Sequence, residues 1–232
     1  VAATEPHPRH EIGGVRHRGE GGLLGVAVHP DFARNSFVYL YLTTGEGGSV
    51  TNRIERYRLS GDSLSDETEI LAGIPGSTNH DGGRLSFGPD GKLYVPIGAP
   101  CNICEPGSGF AKITRMNLDG SGVEDVALGV RNTVGFDFDP KNGDLWYTNN
   151  GRDWLSEDLP NDSLNHVTQP GKQHFGFPYC HQGDFADPEF GWGKNCNDYA
   201  KPALLTGPHA GTLGMRFYTG RQFRSEERRV GK

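Results

Sequence analysis

Val26-Ala-Val-His-Pro30 followed by Phe37-Val-Tyr-Leu-Tyr41 is the first of three like segments. The second is Leu85-Ser-Phe-Gly-Pro89 with Leu93-Tyr-Val95, and the third is Phe136-Asp-Phe-Asp-Pro140 with Leu145-Trp-Tyr147. Each reads as strand, proline turn, strand. A β-rich run stops at a proline, whose fixed φ suits a turn, and resumes after polar or glycine residues. The distances beyond each proline repeat as well. Ile54, Ile113 and Leu164 lie 24 positions after Pro30, Pro89 and Pro140, and Gly61, Gly120 and Gly171 lie seven further on. Between those marks run Ile-Glu-Arg-Tyr-Arg-Leu-Ser-Gly and Ile-Thr-Arg-Met-Asn-Leu-Asp-Gly, alternating strands closed by a glycine turn, with a degenerate third copy in Leu164-Asn-His-Val167.

Repeats of about 50 to 60 residues, each holding several short antiparallel strands, are the pattern of propeller blades. A stacked solenoid needs shorter, stricter repeats, and a sandwich does not keep phase over such distances. We therefore read an all-β chain, a partial β-propeller over residues 1–224, with Phe217-Tyr-Thr219 opening a fourth blade. Three to four blades do not close a ring, so the native protein is expected to continue beyond this chain. Ser225-Glu-Glu-Arg-Arg-Val-Gly-Lys232 has a charge density seen nowhere else in the sequence and no strand period, and reads as a non-native tail.

Glycine supplies 35 of 232 residues, as short strands and tight turns require. The net charge is −6 and basic residues are scattered until the tail, which argues against a nucleic-acid partner. Phe37-Val-Tyr-Leu-Tyr-Leu42, the longest apolar run, is far short of the roughly 20 residues that span a bilayer, and the residues given before it do not read as a charged-then-apolar leader. The four cysteines form two local pairs, Cys101 with Cys104 and Cys180 with Cys196. An even count suits loop disulfides in an oxidising, periplasmic or secreted setting. A zinc or thiol-redox role for Cys-x-x-Cys is the competing reading. No second Cys-x-x-Cys or paired His follows it, and Glu105 stands where haem attachment needs His.

Three places carry candidate chemistry. His80-Asp-Gly-Gly-Arg-Leu85 precedes the inner strand of the second repeat, where a propeller presents side chains to its channel mouth. An imidazole there can take a substrate proton near neutral pH, and a turn histidine bonded to backbone is the alternative. Arg131-Asn132 occupies the equivalent corner of the third repeat, where a guanidinium can clamp a carboxylate or quinone oxygen or simply cap a blade edge. Asn149-Asn-Gly-Arg-Asp153, with Glu157, Asp158, Asp162 and Asn165, offers oxygen-only donors that suit Ca²⁺, although acidic loops are commonly just solvated. Glu20-Gly-Gly-Leu-Leu-Gly25 adds a glycine-flanked acid at the first repeat.

In combination, Arg18-Gly-Glu-Gly-Gly-Leu-Leu-Gly-Val-Ala-Val-His-Pro-Asp-Phe32, His80 through Tyr94, Arg131-Asn132 and Gly151-Arg152 resemble the glucose/sorbosone dehydrogenase family, most nearly its sorbosone dehydrogenase-like branch, up to about Phe223. The resemblance implies a six-bladed propeller that binds pyrroloquinoline quinone (PQQ) with Ca²⁺ and oxidises a sugar, sugar aldehyde or polyol. It casts His80 as general base and Arg131 as the residue facing the quinone oxygen. Glu20 and Asn132 fall among the cofactor contacts, and the main-chain carbonyls of Gly151 and Arg152, supported by Asp162, fall at the calcium. Two positions depart from the glucose-oxidising pattern: Glu20 replaces a glutamine, and Ala99 replaces an aspartate that supports the histidine. Basic residues of the family's last blades lie beyond this chain. A calcium-propeller lactonase and a non-catalytic glycan- or protein-binding propeller are the competing functions.

Overall fold

The computed structural model describes residues 10–45 and 48–222. Four strands, β1 (Leu23–Val28), β2 (Phe37–Thr44), β3 (Thr51–Ser60) and β4 (Ser63–Pro75), form one antiparallel sheet in sequence order. β5 (Ser86–Phe87), β6 (Leu93–Ile97), β7 (Lys112–Met116) and β8 (Glu124–Leu128) form a second of the same design. The third has β9 (Phe136–Phe138), β10 (Leu145–Asn149) and β11 (Asn161–Val167) side by side. Its outer strand arrives late. The chain first leaves on a long excursion holding the hairpin β12 (Cys180–His181) and β13 (Phe185–Ala186), then returns as β14 (Leu204–Pro208) against β11. These are three propeller blades, and the phase marks fall on equivalent strands: Ile54 opposite Tyr41, Ile113 opposite Pro96, Leu164 opposite Thr148. The first mark closes a two-residue turn in which Gly61 has φ +56°, a conformation glycine adopts without strain.

Alternation along β6 explains how the sheets stack. Leu93, Val95 and Ile97 pack with Tyr39, Tyr41 and Ile54 of the first sheet. Tyr94, on the opposite face, packs with Phe136, Leu145 and Tyr147 of the third. All five residues of β6 are buried. A middle blade thus reads as continuous apolar sequence because both its faces are covered, each fully buried side chain contributing about 1.5–3 kcal/mol.

Both cysteine pairs form disulfides, Cys101–Cys104 and Cys180–Cys196. Phe217–Thr219 belongs to no strand among the described residues. The Phe217 N–H instead donates to Asp137 Oδ2 at 2.8 Å, and its ring meets Trp146 edge-on, so this segment follows β9 without a ladder partner. The charged run 225–232 lies outside the described residues. No described helix is long and apolar enough to cross a membrane.

Leu93→Ala is expected to lower unfolding stability by about 2–5 kcal/mol, whereas Val123→Ala, at a half-exposed position, stays within about 0.5 kcal/mol, as read by denaturant titration.

Candidate active site

The first strands of the three sheets begin at one end of the molecule, and the segments leading into them meet there around a cavity of about 780 Å³. That is within the usual size of a small-molecule or cofactor site. Glu20, His80, Arg131, Asn132, Gly151 and Asp162 all line it, with Leu24, Leu85 and Val134 as apolar walls.

His80 adopts φ +63°, a left-handed backbone uncommon outside glycine and found where surrounding contacts over-determine it. Two contacts do so here. The His80 N–H donates to Glu20 Oε2 at 2.7 Å. The ring Nδ1 lies 3.0 Å from the Ala99 carbonyl. A carbonyl only accepts, so Nδ1 carries the proton and Nε2 keeps its lone pair. Gly98 makes the approach possible, since a Cβ there would stand 1.9 Å from the His80 carbonyl oxygen. Burial, and then the positive charge of Arg131, push the His80 pKa below its ordinary value, so the neutral base persists into mildly acidic solution. Ala99 thus orients the His80 ring from its main chain, and Glu20 holds the histidine's backbone.

Arg131 is 3 % exposed and makes four hydrogen bonds, which leaves one Nη1 hydrogen unassigned. Its Nε donates to the Asn102 carbonyl at 2.8 Å, Nη2 to Asn102 Oδ1 at 2.8 Å and to Asp153 Oδ2 at 3.0 Å, and Nη1 to the Asn150 carbonyl at 3.3 Å. The Ala99 N–H donates to the Arg131 carbonyl at 2.7 Å, so a single residue joins the arginine's backbone to the histidine's ring. Beside it, Asn132 Oδ1 is buried with no hydrogen-bond partner among the described residues, a polar atom at the cavity wall suited to a bound group.

Asp162, almost wholly buried, accepts from the Gly151 N–H at 2.7 Å on one oxygen and from the Gly211 and Thr212 N–H groups at 2.7 and 3.3 Å on the other. Its carboxylate therefore fixes the Gly151 peptide from behind. The Gly151 and Arg152 carbonyls accept no hydrogen bond among the described residues; Gly151 lines the cavity, whereas Arg152 does not. The Arg152 side chain turns elsewhere, to the buried Asp187 and the exposed Glu189 at 2.7 Å each, where Asp187 also meets His181 at 2.7 Å. No cluster of three or more His, Cys, Asp or Glu side chains able to hold a metal occurs among the described residues, so a cation here would depend on main-chain carbonyls and on the oxygens of a bound cofactor.

Sequence reasoning did not find Asn102 or His209. Asn102 was masked by the cysteines flanking it, and His209, which lines the cavity from the loop after β14 and lies 2.7 Å from the Ser156 carbonyl, belongs to no repeat mark.

The model of the glucose/sorbosone dehydrogenase family matches residues 3–229, and the chain belongs to that family. Quinoprotein glucose dehydrogenase B of Acinetobacter calcoaceticus is 30 % identical over 203 residues, covering 69 % of this chain and 40 % of that protein. The chain spans about two-fifths of the length of such curated relatives. Among solved structures, the PQQ-bound aldose sugar dehydrogenase of Streptomyces coelicolor superposes with a TM-score of 0.68 at 31 % identity, covering 85 % of this chain and 57 % of that one. The apo-form soluble aldose sugar dehydrogenase of Escherichia coli gives 0.77 at 26 % identity, covering 93 % and 67 %.

The His80 ring is expected to titrate below about 6.5 by NMR, and Arg131→Leu to move that midpoint upward by removing the neighbouring cation; a midpoint unmoved by the substitution contradicts the electrostatic coupling.

Proposed function

We propose that the protein is a PQQ-dependent dehydrogenase that oxidises a sugar, a sorbosone-like sugar aldehyde or a polyol in the periplasm or outside the cell, within a six-bladed propeller. The observation that carries this reading is the convergence of a neutral histidine with a free Nε2 and a buried arginine on one cavity, tied together through the main chain of Ala99. Relatives named as quinoprotein and PQQ-bound sugar dehydrogenases support it.

PQQ held in this cavity would supply a two-electron acceptor for the hydride of the substrate carbon. His80 Nε2 removes the hydroxyl proton, and the Ala99 carbonyl steadies the imidazolium that results. Arg131, already desolvated and braced, presents positive charge to oxygen that becomes negative, without reorganising. Asn132 offers its unpartnered Oδ1 as an acceptor to an N–H or O–H of the bound group. Ca²⁺ would rest on the Gly151 and Arg152 carbonyls, with Asp162 holding that peptide in place. Glu20 serves His80 first and borders the cofactor second.

Reconstituting the full-length protein with PQQ and Ca²⁺, and following dye reduction over aldoses, sorbosone and polyols, tests this directly. Turnover is expected with at least one of them, and His80→Ala is expected to lower kcat by about 10²–10⁴-fold while quinone binding persists. Turnover unchanged in His80→Ala, or none with any of these substrates, refutes the assignment.

A further inference from the structure

Four hydrogen bonds converge on one residue that none of the site motifs contains. The Asn102 carbonyl accepts from Arg131 Nε and its Oδ1 from Arg131 Nη2, both at 2.8 Å. The same Oδ1 accepts from the Asp153 N–H at 2.7 Å, and Nδ2 donates to the Asp153 carbonyl at 2.9 Å. Asp153 in turn holds Arg131 Nη2 at 3.0 Å. The amide is the side chain this position requires, because it must accept from two donors and donate to a carbonyl at once.

The loop carrying Asn102 is itself fixed. Cys101 and Cys104 close it by a disulfide, and Cys101 and Ile103 pack on a small apolar cluster of Ala99, Ala111 and Phe177. Ala99 is the residue that orients His80. One short covalent ring is thereby anchored beside the histidine's support on one side and grips the arginine and the Asn150–Asp153 segment on the other.

We propose that Asn102, presented by the Cys101–Cys104 loop, is a positioning residue that sets the Arg131 guanidinium toward the cavity and locks it to the segment carrying Gly151 and Arg152. Its consequence for catalysis rests on the quinone-site reading given above, but the positioning itself does not. Without the Asn102 side chain, Arg131 keeps main-chain carbonyls on Nε and Nη1, but Nη2 is left with Asp153 alone, a half-exposed residue that has lost its own tether, so that end of the guanidinium loses orientation before it loses its charge partner.

The decisive experiment uses the full-length protein without quinone, labelled with ¹⁵N, and follows solvent exchange of the Arg131 Nη2 hydrogens, which the Asn102 side chain accepts. Asn102→Ala and the Cys101→Ser/Cys104→Ser pair are each expected to speed that exchange at least tenfold while the Val95 amide in β6 keeps its rate. Asn102→Asp, which retains the acceptor toward Arg131, is expected to restore most of the protection. Unchanged Arg131 exchange in both variants, or Asn102→Asp behaving like Asn102→Ala, overturns the proposal. A second arm titrates PQQ calorimetrically: Asn102→Ala is expected to weaken binding at least tenfold, and Asn102→Ala/Arg131→Ala to bind no more weakly than Arg131→Ala alone. Additive losses overturn the proposal. Wild-type protein that binds no quinone refutes the dehydrogenase reading and leaves the exchange arm to decide the positioning role.

Discussion

Tyr94 and Val95 point to opposite faces of one strand and both are buried, one against the third sheet and the other against the first. That two-sided burial is the constraint from which the architecture follows. A sheet with two apolar faces needs a neighbour on each, and twisted sheets stacked face to face fan around an axis instead of closing as a two-layer sandwich. Successive first strands then begin at the same end, and whatever precedes them is delivered to a common mouth. The cavity is a geometric result of the packing, and Glu20, His80 and Arg131 reach it because each stands just before β1, β5 or β9.

Within that mouth the polar groups are held mainly by main-chain atoms. The Ala99 main chain spans from the Arg131 carbonyl to the His80 ring, Asn102 grips the guanidinium, and Asp162 collects three backbone N–H groups to set the Gly151 loop. Such a site is rigid before any ligand arrives, and a preorganised site spends little reorganisation energy when charge develops. It also tolerates side-chain change at positions that act through their backbone. That is why alanine at position 99 leaves His80 oriented.

The fold was legible because blade packing writes itself into sequence as period-two apolar runs, and the strict spacing of Ile54, Ile113 and Leu164 marked equivalent third strands. His80 and Arg131 were legible because they directly precede inner strands. Less could be read where contacts are long-range and carried by backbone. The outer strand of the third blade, β14, comes after an excursion that no local periodicity announces. Asn102 lies 29 residues from Arg131 and 51 from Asp153, and only folding brings the three together. The Arg152 side chain was likewise unreadable, because its partners Asp187 and Glu189 belong to that same excursion.

A crystal structure of the full-length protein grown with PQQ and Ca²⁺ bears most directly on the central claim. The account predicts the quinone in the cavity between His80 Nε2 and the Arg131 guanidinium, with calcium on the Gly151 and Arg152 carbonyls. Quinone bound outside that cavity, or a His80 ring turned so that Nε2 meets a protein donor, would contradict it.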